Sequence, residues 1–155
     1  MAKEKSVAAS SDMSRLCGLL EQKIAAFREF VSSTISLKDM IREHNMEAVE
    51  GMIARRGDHI ALINKLDEQI RIIRNGSRFH DIPFNPDTEK HVNSLLKMLE
   101  GLIGKTLRLN QDCEVAAETE LRKLGNDLSH LTRSDTSFKG YKGRPGEPRF
   151  MDVTT

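Results

Sequence analysis

Apolar residues first recur at Met13, Leu16, Leu20, Ile24, Phe27, Val31, Ile35 and Ile41, so the gaps are three, four, four, three, four, four and six. That rhythm predicts a helix close to the 3.5-residue repeat of a coiled-coil seam, with polar Lys38 at the missing step. Leu19, Phe30 and Leu37 flank the stripe and widen it. His44-Asn45 interrupts the run, and Asn45 is a suitable N-cap, with Glu47 and Glu50 close behind it. A second stripe follows at Met46, Val49, Ile53, Ile60, Ile63, Leu66, Ile70 and Ile73. It skips Arg56-Gly57, a weak step, and Asn75-Gly76 offers a stop with Gly available for the left-handed C′ position. Residues 76–85, GSRFHDIPFN, contain Pro83 and cannot continue a helix. Asn85-Pro86 then fits N-cap followed by N1, with Asp87 and Glu89 in the first turn. The third stripe runs Val92, Leu95, Leu99, Leu102, Thr106, Leu109, Cys113 and Ala116, then shifts by one residue to Leu121, Leu124, Leu128 and Leu131.

The expected fold is therefore all-α: an elongated antiparallel hairpin of helices over about 12–44 and 46–74, plus a long third helix over 86–131 in a three-helix, coiled-coil-like bundle. Residues 1–11, rich in Ser, Ala and Lys, read as a disordered N-terminus, and 133–155 as a flexible Pro/Gly-rich tail. At 1.5 Å per residue an unbroken third helix measures roughly 70 Å, against about 45–50 Å for each of the others. Its last third then extends past the hairpin, unless Gly125-Asn126 breaks it and the end folds back. In either case Leu121, Leu124, Leu128 and Leu131 form an apolar stripe that nothing in the first two helices covers, the mark of an interaction surface or of self-association.

Composition supports slender helices over a thick globular core. Trp is absent, and aromatic residues make up 5% of the 155 residues. The 24 Lys and Arg against 23 Asp and Glu provide no field of one sign for nucleic acid. Two cysteines, Cys17 and Cys113, make no disulfide framework, and no apolar run is long enough to span a bilayer. The polar N-terminal stretch MAKEKSVAASSD has no apolar segment of a secretory signal, so a reduced cytoplasmic setting is expected. Candidate chemistry is sparse. GLIGKT at 101–106 has the wrong spacing for a phosphate loop, and the five histidines stand in no metal-binding or phosphotransfer pattern. Neither catalytic residues nor cofactor or metal sites are expected.

The last eighteen residues, FKGYKGRPGEPRFMDVTT, hold two of the four prolines and three of the seven aromatic residues. Phe138, Tyr141, Phe150 and Met151 are candidate anchors for a partner, because aromatic side chains bury about 150–250 Å² each. A tail folded back over the leucine stripe is the alternative.

The first hairpin resembles that of the FlgN-type flagellar export chaperones. The residues that carry the likeness are the polar step at Asn45, the basic pair Arg55-Arg56, and the run Leu62-Ile63, Leu66 and Glu68. The tail is similar as well: Gly140-Tyr141, Pro145 and Pro148, then Arg149-Phe150-Met151-Asp152. Gly51, Gly57 and the FHDIPFN linker depart from the pattern. The resemblance implies a small cytosolic type III export chaperone. It would bind terminal helices of hook–filament junction proteins, keep them competent for export and deliver them to the export gate. The stripe Leu121, Leu124, Leu128 and Leu131, with the tail anchors, would form its partner-binding surface. A structural coiled coil that self-associates through the same stripe is the competing expectation.

Overall fold

The computed structural model describes the backbone of residues 2–76 and 85–142, and the side chains of these except 2, 6 and 135–142. Nearly all of it is helix, and there is no strand among the described residues. Helix α1 spans Ala2–Arg42, α2 Met46–Gly76 and α3 Pro86–Lys142. The chain divides into two compact units, Met1–Ala116 and Ala117–Thr155.

Two of the expected boundaries are displaced outwards. Residues 2–11 are not disordered but form the first turns of α1. Ala2, Lys3, Glu4, Lys5, Ala8 and Ala9 are strong helix formers, and extending an existing helix is far cheaper than starting one. At the other end α3 passes through Gly125-Asn126 without a break and continues to Lys142, so residues 133–142 belong to the helix and not to a flexible tail. No proline stands between Pro86 and Pro145 to stop it. Residues 143–155 of the expected tail lie outside the described residues.

The α1–α2 corner follows from one capping side chain, two backbone hydrogen bonds and one unusual backbone angle. His44 adopts φ of 57°, the left-handed conformation usually taken by Gly at this position. The Asn45 N–H donates to the Met40 carbonyl at 3.2 Å, and the His44 N–H to the Ile41 carbonyl at 3.2 Å, which together make a Schellman motif. Asn45 then caps α2, its Oδ1 accepting from the Ala48 N–H at 3.1 Å. At α3 the same chemistry recurs: Asn85 Oδ1 accepts from the Asp87 N–H at 3.1 Å, with Pro86 as the first helical residue. Gly76 is the last residue of α2 and does not have a left-handed φ.

Within the first unit α1 and α2 run antiparallel, since Lys23 pairs with Asp67 while Leu37 packs with Val49. Helix α3 runs parallel to α1, with His91 3.5 Å from Glu21 and Asp112 3.3 Å from Lys38. Buried apolar residues form two clusters. The larger holds Leu16, Leu20, Ile24, Ile63, Leu66, Ile73, Leu95 and Leu99, and the smaller Leu37, Val49 and Cys113.

The seams depart from the expected stripes in the middle of the unit. On α1, Ile35 is 44% exposed, whereas Phe30 and Leu37, expected as flanks, are buried, and Thr34 is fully enclosed. On α2, Met46, Ile53 and Ile60 are exposed. The protected positions there are Val49, Met52, Arg56, His59, Ile63, Leu66, Ile70 and Ile73, an unbroken three-four alternation. The seam does not skip Arg56; it runs through Arg56 and His59. On α3 the expected stripe holds from Val92 to Ala116.

Candidate partner-binding face

The main line of buried or half-buried positions on α3 falls at 92, 95, 99, 102, 106, 109, 113, 116 and 120, with Thr88, Gly104, Asn110 and Ala117 half-buried beside it. Continued at the same alternation, that frame meets Lys123, Asp127, His130 and Ser134, all polar and all exposed. The leucines stand one position further on, and one residue of α-helix is a rotation of about 100°. Leu121, Leu124, Leu128 and Leu131 therefore share a face of their own, distinct from the frame that carries the buried positions of α3. They are 67%, 48%, 63% and 66% exposed. Four leucines so open on one helical face are unusual in a chain whose other seams are well covered.

The surroundings of this face are built from short-range contacts. Lys123 Nζ donates to Glu120 Oε1 at 3.0 Å, Arg122 lies 3.9 Å from Glu118, and Thr132 donates to the Leu128 carbonyl at 2.9 Å. Such i,i+3 and i,i+4 pairs contribute only a few tenths of a kcal/mol each. Gly125, Asn126, Ser129 and Thr132 are poor helix formers. Helicity in this second unit thus has little intrinsic support, and burial of the leucine face is the largest stabilisation open to it.

Of the other candidate anchors, Phe138 and Tyr141 belong to α3 by backbone, and Phe138 falls seven residues after Leu131, on the same spacing. Their side chains lie outside the described residues, as do Phe150 and Met151 altogether.

A second group of functional interest was not apparent from the apolar pattern. Between the two apolar clusters the first unit carries a polar layer. Arg56 Nη2 donates to Asn110 Oδ1 at 2.6 Å, and its guanidinium lies 4.7 Å from the centre of the Phe30 ring. Arg56 Nε and His59 Nε2 are enclosed without hydrogen-bond partners. Thr34 donates to the Phe30 carbonyl at 2.8 Å, and the Cys113 thiol donates to the Thr34 carbonyl at 3.4 Å. Thr106, buried, donates to the Leu102 carbonyl at 2.8 Å. The uninterrupted three-four spacing from Val49 to Ile73 is the signal that would have found Arg56 and His59, had polarity not been used to reject them.

Burial raises the pKa of both thiols, Cys113 mainly by desolvation despite the nearby charges of Arg56 and Lys38, and Cys17 by desolvation and the Glu21 carboxylate. Neither is poised as a nucleophile. Among the described residues no three His, Cys, Asp or Glu side chains converge as metal ligands, and no helix is long and apolar enough to cross a membrane. Compared with family models, with curated proteins and with solved structures, the chain finds no match.

Proposed function

We propose that this protein is a cytosolic flagellar export chaperone that holds terminal amphipathic helices of hook–filament junction proteins in an export-competent state. The observation that carries the reading is the exposed face Leu121, Leu124, Leu128 and Leu131, set apart by one residue from the frame of the buried positions. A partner helix laid along it would bury apolar surface at roughly 25 cal/mol per Å², the helix-in-groove mode of recognition. The resemblance of the hairpin and tail to FlgN-type chaperones names the cargo. In this reading the three helices form an elongated bundle, Phe138, Tyr141, Phe150 and Met151 add anchors on the cargo or the export gate, and the protein works without cofactor or catalysis.

Calorimetric titration with the C-terminal segments of the two hook–filament junction proteins of the same organism tests this. The expected result is micromolar or tighter binding with a negative heat-capacity change. No binding of either segment, with the protein sedimenting as a stable dimer, would leave the second reading: a scaffold that self-associates through the same four leucines. Their two-heptad spacing, suited to a coiled-coil seam, is the observation in its favour.

A further inference from the structure

We infer that the polar layer of the first unit is a register key, which lets α3 dock on the α1–α2 hairpin in one heptad frame and rejects the two neighbouring frames. The apolar seam of α3 makes that choice only weakly. A slip of seven residues sets leucine on leucine at two of the four levels Leu95, Leu99, Leu102 and Leu109, and Thr, Val or Ala at the others. Coiled-coil-like seams are prone to this degeneracy, and a single polar residue at a seam position commonly resolves it. The eight residues 77–84 that join α2 to α3 reach up to about 28 Å, so they would allow such a slip.

The key is concentrated in three residues of α3. Asn110 accepts from Arg56 of α2, Asp112 pairs with Lys38 of α1, and Cys113 donates to the Thr34 carbonyl of α1. Slipping α3 by a heptad in one direction sets Ile103 against Arg56 and Lys105 against Lys38. The guanidinium would lose its only side-chain acceptor inside the seam, and two ammonium groups would face each other. Slipping the other way sets Ala117 against Arg56, Thr119 against Lys38, and the Glu120 carboxylate against the Thr34 carbonyl. Arg56 is orphaned either way. A half-buried cation that loses its acceptor inside a seam is destabilising. Its Nε already lacks a partner, so the guanidinium depends on Asn110 and the Phe30 ring. The layer thus lowers stability relative to an apolar one and exchanges it for a unique frame.

Two variants test this by double electron–electron resonance, with spin labels carried by non-canonical residues at the exposed positions Arg28 and Glu114 so that both cysteines remain. The full-length wild type should give one distance. In Arg56→Leu/Asn110→Leu the key is replaced by apolar side chains. Helical circular dichroism should persist, and the distribution should split, the new population offset along α3 by about 10 Å, one heptad at 1.5 Å per residue. In Ile103→Asn/Lys105→Asp/Asn110→Ile the key is moved by one heptad, and the main population should move with it. A single wild-type distance in the first variant overturns the inference whatever the second does. Loss of helical signal in the first variant overturns it equally, because a register key is dispensable for packing itself.

Discussion

Thr34 is the most deeply enclosed side chain described, and it is polar. Its hydroxyl is satisfied within its own helix by the Phe30 carbonyl, so it enters the core at little cost, while its carbonyl takes the Cys113 thiol. A reading by apolar residues passes over it to Ile35 and is wrong by one position, because hydrophobicity alone does not register a hydroxyl that bonds its own backbone. Cys113 makes this pocket sensitive to alkali. Its thiol has a pKa raised above the ordinary 9.0, chiefly by burial, so the folded state holds its proton more tightly than the unfolded chain does. The resulting stability is complete below pH 9 and is lost as pH rises through the higher folded value. Between pH 8.5 and 10.5 the wild type should therefore lose more denaturation free energy than Cys113→Ala, measured by urea titration. Gly57 is a residue-scale weakness of a different kind. A Cβ there would meet nothing within 4 Å, so Gly57→Ala should stabilise by about 0.5–1 kcal/mol on the same measurement.

The elements were legible where local chemistry marks them and illegible where it does not. Asn45 and Asn85-Pro86 are sequence signals with a mechanism, and both open their helices as expected. Asn45→Ala should cost about 1 kcal/mol, and chemical denaturation would read it directly. The left-handed His44 was not legible, since Gly is the usual occupant of that site and His gives no comparable cue. The start of α1 and the end of α3 were misjudged for another reason. Residues 1–11 are rich in Ser and Lys as well as Ala, and 133–142 hold Ser134, Ser137 and Gly140, but an existing helix extends through such residues at small cost each. Seam polarity caused the third kind of error. Arg56 and His59 occupy inward positions of α2 that an apolar template cannot assign, although their spacing from Val49 and Ile63 is regular.

At the scale of the whole molecule, the arrangement separates two tasks. The first unit buries its seams around a polar layer, and the second carries leucines that no described side chain encloses. Leu124→Asp/Leu128→Asp should therefore leave the helical signal and the thermal midpoint of the protein nearly unchanged, within about 0.5 kcal/mol as surface changes are, while abolishing capture of a partner helix or self-association. A drop of several kcal/mol on denaturation would instead mean that these leucines are internal. That a surplus leucine run existed could be read from the chain; that it stood outside the buried frame needed the positions of burial on α3. The one-residue offset between Ala116 and Leu121 has a genetic counterpart. Losing a single codon there, for instance that of Glu118, would bring all four leucines into line with Cys113 and Ala116, and one long seam would replace two. The exposed leucine face thus lies one in-frame deletion away from joining the buried frame, and inserting one codon into a continuous seam would create the same offset in a single event.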